Sequence, residues 1–351
     1  MSPSQSSSFG GAPITITGTS LTCATSVTVG GVAAKSFVVV SSTSVTAVTP
    51  AGTVGAQSVA VTTPSGTASL ASAFTYVVPT GWYTVLEQYV DAAVVTDVTL
   101  RNEIIALGLP WRVQDNGTGI EMLLVPGGTF MMGCGLGFGE CSTNDLPAHQ
   151  VTLTQAFYMG KTEVTQAQWT ATMGSNPSYF ISYSDSPSRP VEQVSWNMIA
   201  SGSTSFMSVT GLRLPTEAEW EHAYRAGTTT AFHSFPAQPN GFNDDTLLDN
   251  IAWYSSNSGN QTHAVATKLP NALGLYDTLG NVWEWCQDWY GSYTSANVTN
   301  PTGPASGPGR VLRGGGWYYF ANNCRASMRG GWAPDSSTVT LGSGFRAARN
   351  P

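Results

Sequence analysis

The sequence predicts two domains of different class: an N-terminal all-β sandwich, then a larger α+β domain with long structured loops. Three observations lead there. Charge breaks sharply, because residues 1–86 hold a single charged residue, Lys35, and every other charge lies from Glu87 onward. The first segment alternates β-branched with small or polar residues in short runs between Gly and Pro turns, the period-two pattern of half-buried strands. The remainder carries two capping-box helix starts among Gly-, Asn- and aromatic-rich stretches.

In chain order, the alternating runs are Ile14-Thr15-Ile16-Thr17, Ser26-Val27-Thr28-Val29, Phe37-Val38-Val39-Val40, Ser44-Val45-Thr46-Ala47-Val48 and Ser58-Val59-Ala60-Val61-Thr62. Gly30-Gly31, Thr49-Pro50-Ala51-Gly52 and Thr63-Pro64-Ser65-Gly66 separate them. Short strands at roughly 8–12-residue spacing predict an antiparallel sandwich over residues 1–78. Residues 79–120 form a connecting segment with a short helix across Asp97–Gly108. Asp97 or Thr99 can cap it, Gly108 stops it and Pro110 forbids continuation. Leu100, Ile104 and Leu107 would share its buried face. The second domain spans 121–351 and opens with a strand, Glu121-Met122-Leu123-Leu124-Val125-Pro126, that ends at Gly127-Gly128. Thr165-Gln166-Ala167-Gln168 and Thr216-Glu217-Ala218-Glu219 are capping boxes, and Gly227 ends the second helix.

Composition excludes several functions. The net charge is −7 and only 10% of residues are charged, so the basic footprint of a nucleic-acid binder is missing. No apolar run is long enough to span a bilayer, so no membrane insertion is expected. Trp (11), Tyr (13) and Phe (13) supply packing that a disordered chain lacks. The N-terminus shows neither a basic start nor an apolar core of a signal peptide. Export by another route, a removed signal, or release by lysis as part of a virion all remain open, and an extracellular, cell-surface or virion location is expected.

Motifs then point to families. Gly10-Gly11-Ala12-Pro13-Ile14-Thr15-Ile16-Thr17-Gly18, Val27-Thr28-Val29-Gly30-Gly31, Pro64-Ser65-Gly66-Thr67-Ala68 and Phe74-Thr75-Tyr76 make the first segment resemble an IPT/TIG immunoglobulin-like domain. That family carries one more N-terminal strand than the alternation marks here, and implies a spacer or adhesion module. The second domain strings together Val125-Pro126-Gly127-Gly128, Pro147-Ala148-His149, Pro190-Val191-Glu192-Gln193-Val194-Ser195-Trp196, Arg213-Leu214-Pro215-Thr216-Glu217-Ala218-Glu219-Trp220, Gly280-Asn281-Val282-Trp283-Glu284-Trp285, Arg310-Val311-Leu312-Arg313-Gly314-Gly315 and Gly344-Phe345-Arg346. In that order they resemble the formylglycine-generating-enzyme (sulfatase-modifying factor) superfamily. The resemblance implies a C-type-lectin-like fold with an irregular sheet and two helices. Members include oxidases and non-catalytic binding proteins, among them variable proteins diversified by retroelements.

The oxidase branch resembled here holds copper on two thiolates five residues apart. Cys324 is the single cysteine after Arg313-Gly314-Gly315, with Tyr319 and Arg329 at the two partner spacings. Neither replaces a soft thiolate, so no enzyme and no copper are expected. The histidines His149, His222, His233 and His263 show no metal-binding spacing. The resemblance also implies structural Ca2+ on the side chains of Asp277 and Glu284 and the carbonyls of Gly280 and Val282, a hard-oxygen set. The alternative is that Asp277 and Glu284 cap turns and pair with arginines. Cys134 and Cys141 enclose a Gly-rich loop suited to a small disulfide, while Cys286 and Cys324 are either bonded or packed together and Cys23 is the odd thiol.

The C-terminal stretch supplies the candidate binding surface: Tyr318, Tyr319, Phe320, Asn322, Asn323, Gly330, Gly331, Trp332, Ala333, Ser336 and Thr338. Scaffold-type residues there alternate with residues of no consistent type, and aromatic patches on rigid loops give contact area at low entropic cost. Three adjacent aromatics in irregular chain are not expected all to point inward. The expected function is ligand recognition without catalysis, on a surface that retroelement diversification can vary, with a protein or glycan on a cell surface as ligand. The alternatives are an oxidoreductase of the superfamily with altered chemistry and a structural surface or virion component.

Overall fold

The computed structural model describes residues 1–7, 13–50, 52–77, 81–135, 141–335 and 342–351. The chain forms two compact units, Met1–Tyr83 with Gly108–Pro110, and Thr84–Leu107 with Trp111–Pro351.

The first unit is a two-sheet sandwich. Its strands are β1 (Gln5–Ser7), β2 (Pro13–Thr17), β3 (Ser26–Val29), β4 (Val32–Ala33), β5 (Ser36–Ser41), β6 (Ser44–Val48), β7 (Gly55–Thr63) and β8 (Gly66–Val77). One sheet runs β1-β8-β7-β3-β4 and the other β2-β6-β5. The core is the inward half of the alternation: Ile14, Val27, Val29, Val45, Val59, Val61, Phe74 and Tyr76. Sequence alternation marks no strand before Ile14, yet β1 pairs in parallel with Thr75–Val77 of β8. Its residues are Gln and Ser, so hydropathy gives no signal there and the backbone ladder alone makes the strand.

The second unit is built on three small sheets. Its first elements are β9 (Tyr83–Glu87), α1 (Val98–Ala106), β10 (Arg112–Asp115), β11 (Glu121–Val125), β12 (Gly128–Met132), β13 (His149–Leu153) and β14 (Phe157–Gly160). Four helices follow: α2 (Gln166–Met173), α3 (Trp196–Ala200), α4 (Phe206–Thr210) and α5 (Glu217–Arg225). The last strands are β15 (Trp283–Trp289), β16 (Val298–Thr299), β17 (Arg310–Arg313), β18 (Arg329–Trp332), β19 (Ser343–Gly344) and β20 (Ala348–Arg349). Sheet orders are β20-β14-β11-β10-β9, β12-β13-β16 and β18-β17-β15-β19.

Local chemistry explains these elements. Asp97 caps α1, its carboxylate accepting the Leu100 N–H at 2.9 Å. Of the expected stripe only Ile104 is fully buried, and Leu107 is exposed because it is the helix C-cap. Both capping boxes form, at Thr165 with Gln168 and at Thr216 with Glu219. The resemblance implies two helices; α3 and α4 are additional five-residue helices capped by Ser195 and Ser205. Neither has Glu or Gln three residues after its cap, so the capping-box template passes over them.

Candidate functional site

The site is assembled on the sheet β18-β17-β15-β19. In β18, successive residues alternate between two faces. A Cβ on Gly330 would point toward Trp283, whereas one on Gly331 would meet the Tyr290 ring at 2.5 Å. Trp332 shares the Trp283 face, with ring centroids 6.5 Å apart, and the Arg329 guanidinium lies over the Tyr290 ring on the other. Gly331 therefore lacks the expected position on the aromatic face; strand alternation turns it away.

Between β17 and β18 the chain crosses residues 314–328 with one short 3-10 helix, Ala321–Cys324, and is held by the backbone. Trp317 N–H donates to the Asn281 carbonyl at 2.9 Å and Ser255 N–H to the Tyr319 carbonyl at 2.9 Å. The Ser258 hydroxyl donates to the Trp317 carbonyl at 2.8 Å, and the Tyr224 hydroxyl to the Cys324 carbonyl at 3.0 Å. Gly315 has φ +75°, and a Cβ there would stand 2.8 Å from the Asn323 carbonyl oxygen and 3.0 Å from the Cys324 sulfur. Only glycine allows that approach.

This mounting leaves selected side chains outside. Tyr318 is 67% exposed and Phe320 73%. Tyr319 is half-buried, edge-on to Trp283 at 5.4 Å. Asn322 and Ala333 are exposed, while Asn323, Gly330 and Trp332 are half-buried. Ser336 and Thr338 lie outside the described residues.

Cys324 is completely buried, and burial pushes its thiol up to about 12. Cys286 is also a free, buried thiol, raised well above its ordinary value by burial. Cys134 and Cys141 are disulfide-bonded and Cys23 is free and exposed. A thiol held protonated is a poor nucleophile and a poor metal ligand. Arg329 spends its charge on Glu217, at 2.6 Å.

Beneath the sheet lies an ion network that composition did not reveal. Glu217 and Glu221, one turn apart on α5, receive Arg313, Arg329 and Arg225. Arg313 is fully buried and also faces the Trp220 ring. Burial pushes the Glu217 carboxyl up, but Arg329 and Arg313 more than offset it and hold it below the usual range. The readable signal was the i,i+4 acid pair on a capped helix.

The residues of the expected calcium set run from the irregular stretch 277–282 into β15, where Glu284 stands. Asp277 and Gly280 both have positive φ, 52° and 75°. Asp277 Oδ2 accepts the Ala266 N–H at 2.6 Å. Glu284 takes Arg346 at 2.8 Å and the Trp220 indole N–H at 2.7 Å, which is the arginine pairing read as the alternative. Glu163 accepts the Val282 N–H at 3.0 Å and the Asn281 amide at 2.8 Å. Burial, then the Asp277 and Glu284 charges, push Glu163 well up; burial likewise raises Asp277 to about 6. Arg346 is the guanidinium common to these three carboxyls, and its carboxylate hydrogen bonds go to Glu284. Among the described residues no three His, Cys, Asp or Glu side chains converge on a common metal position, so an ion here would depend on the Gly280 and Val282 carbonyls.

Sequence reasoning missed one loop beside the site. Phe180 stands edge-on to Trp317 at 5.3 Å, and Glu192 accepts the N–H groups of Tyr179 and Phe180. The run Tyr179-Phe180-Ile181-Ser182-Tyr183, aromatic yet without helical or strand periodicity, was the available signal.

Comparison with known proteins places this architecture. A formylglycine-generating enzyme from Streptomyces coelicolor is 29% identical over 291 residues, covering 64% of this chain and 88% of the relative. Variable protein 1 of Treponema denticola superposes with a TM-score of 0.57 at 33% identity, covering 66% of this chain and 95% of that one. PvdO from Pseudomonas aeruginosa superposes with a TM-score of 0.57 at 25% identity, covering 68% and 98%. Residues 1–76 match the IPT/TIG domain model and residues 110–351 the sulfatase-modifying factor enzyme 1-like domain model. The sandwich is thus an immunoglobulin-like IPT/TIG domain, and the chain belongs to the sulfatase-modifying factor enzyme 1-like family, with its C-type-lectin-like fold.

Proposed function

We propose that this protein is a non-catalytic recognition protein whose ligand docks on the Tyr318–Phe320 end of the β17–β18 connection. One observation carries the reading: two large aromatic side chains stand more than two-thirds exposed on a backbone pinned to buried groups. Exposing each costs about 2 kcal/mol of burial that folding could have gained, and contact with a ligand recovers it. The likeness to a variable protein supports the same reading. Cys324, buried and protonated with Tyr319 at the partner spacing, supports the absence of copper chemistry. The formylglycine-generating relatives favour the alternative, an oxidoreductase with altered chemistry. A turnover and metal screen on the wild type and Cys324→Ser separates them: activity lost in the variant restores the enzyme.

Diversification is the finer form of the proposal. Sequencing the DNA around the gene tests it. A near-copy of codons 311–346, differing where the copy has adenine, marks the varied positions, and its absence leaves a binder of fixed specificity. A structural calcium ion at Asp277, Gly280, Val282 and Glu284 belongs to the same proposal. It would complete the buried turn behind Trp283 and compete with Arg346 for Glu284.

A further inference from the structure

A cavity of about 350 Å³ opens between the start of α5, the end of β15 and the loop 291–304. Arg329 forms part of its wall, from the Tyr290 face of β18 and opposite Trp332. Asp288 and His149 also line it, and both are buried, at 3% and 6% exposure. Asp288 Oδ2 accepts the Glu217 N–H at 2.9 Å, while its Oδ1 has no donor among the described residues. No Lys or Arg forms an ion pair with it there. Arg329, the cation in the wall, gives Nε and Nη2 to Glu217 at 2.7 and 2.6 Å and Nη1 to the Gly291 carbonyl at 2.6 Å. His149 Nδ1 stands 3.2 Å from the Pro147 carbonyl. A carbonyl only accepts, so Nδ1 carries the proton and Nε2 of the neutral ring is left as an acceptor. Asp288 Oδ1 and His149 Nε2, though without partners, are not sealed from solvent. The Tyr293 hydroxyl donates to Glu217 at 3.0 Å, and its ring stands 4.8 Å from His149. Met132, Pro301 and Pro304 complete an apolar lining.

We propose that this cavity is a binding site for a small organic ammonium ion, held by the Asp288 carboxylate and the His149 ring nitrogen. The site is separate from the docking face at Tyr318–Phe320 and does not depend on it. The two unpartnered groups are both acceptors, so the ligand must donate. An anion would meet Asp288 and Glu217 with the arginine donors already engaged. A metal ion is not the cation that fits, because among the described residues no three His, Cys, Asp or Glu side chains converge on one position. An ammonium group carries several N–H donors on an apolar stem, which matches a few fixed acceptors in an otherwise apolar pocket. At about 30 Å³ per water the cavity has room for roughly ten waters, hence for a ligand of about that many non-hydrogen atoms. The charge balance agrees. Burial and then the Glu217 charge push the Asp288 carboxyl up to about 7; Glu219 adds to this, while the Glu217 N–H and Arg329 oppose it. An ammonium ion supplies the counter-charge that these neighbours withhold, and holds Asp288 ionised.

The test titrates the full chain with benzylamine, benzyl alcohol and sodium benzoate, read by saturation-transfer NMR. The three probes share a ring and differ in charge. At about pH 8 a carboxyl near 7 is mostly ionised and an alkylammonium is still protonated. Benzylammonium should bind at least about tenfold tighter than the alcohol, and benzoate should not bind. Asp288→Asn keeps an oxygen for the Glu217 N–H but removes the charge. It should weaken benzylammonium by about tenfold or more and move benzyl alcohol by no more than about twofold. Thr302→Trp, at an exposed position lining the cavity, should block the probe by filling the space. Circular dichroism checks that both variants fold, and Thr302→Trp decides if Asp288→Asn does not. Tyr318→Ser with Phe320→Ser should leave benzylammonium binding unchanged. Equal affinity for ammonium and alcohol, or full affinity in Asp288→Asn, overturns the ammonium assignment. Full affinity in Thr302→Trp, loss in the 318/320 variant, or no binding at millimolar benzylamine overturns the site itself.

Discussion

Glu192→Gln separates the electrostatic role of a buried carboxyl from its role as an acceptor. Glu192 is fully buried. Its Oε1 holds the Tyr179 and Phe180 N–H groups, and its Oε2 has no donor. Burial pushes the carboxyl from 4.5 up to about 7, against the smaller opposing pull of those two N–H groups. Because the folded value lies above the unfolded one, the folded state holds the extra proton between them. Stability is then full below the unfolded value and declines as pH rises toward about 7. At roughly 1.4 kcal/mol per pH unit the whole shift is worth about 3 kcal/mol, of which roughly 2.5 kcal/mol falls between about pH 5 and pH 8. Glutamine keeps an acceptor oxygen for the two N–H groups and cannot ionise. Urea unfolding of both proteins at those two pH values reads the effect. Tryptophan fluorescence suits it, since only Trp82 lies outside the second unit. The variant should gain about 2–3 kcal/mol on the wild type between the lower and the higher pH. Asp277 and Asp288, also raised by burial, contribute to both proteins and cancel in the difference. Equal pH slopes for the two proteins would refute the assignment.

Further expectations concern the scaffold and its ions. Arg313→Met leaves Glu217 and Glu221 without their central counter-charge and should lower unfolding free energy by about 3–5 kcal/mol, seen as a fall in urea midpoint; a change under about 1 kcal/mol would mean Arg225 and Arg329 suffice. Reducing Cys134–Cys141, which closes a loop of sequence separation 7, should cost about 2 kcal/mol by the chain-entropy relation, measured as a drop in Tm with reductant that a double Cys→Ser variant no longer shows. Calcium at millimolar concentration should raise Tm against a chelator, and Glu284→Gln should abolish that rise. An identical Tm with calcium and chelator leaves Arg346 as the sole counter-ion of Glu284.

Legibility of the sequence followed the range of the physics involved. Alternation at Val27, Val29, Val45 and Val59 is local, and it located the sandwich core. The capping boxes at Thr165 and Thr216 are equally local, and both helices begin where they indicate. β1 was not legible, because Gln5–Ser7 become a strand only through a ladder with residues some 70 positions away. The exposure of Tyr318 and Phe320 followed from crowding of adjacent aromatics, but the outward turn of Gly331 needed the register of β17 with β18. The loop at Tyr179 was missed for the same reason: its place beside Trp317 is set by Gln166 on α2 and by Arg189 and Glu192 after the loop, contributed from two separate stretches of chain.

The pinning of residues 314–328 through main-chain groups has a consequence for variation. The Asn281, Tyr319, Trp317 and Cys324 carbonyls and their donors make the same bonds whatever side chain stands at 318, 320 or 322. The main-chain bonds at those three positions do not depend on side-chain identity, so a library randomised there should yield mostly folded members, with the ring contact of Tyr318 on Trp317 the main side-chain contribution lost. Randomising Gly315 or Arg313 should not. A protein so built can change what it meets in solution without approaching the stability threshold that limits change elsewhere in its chain.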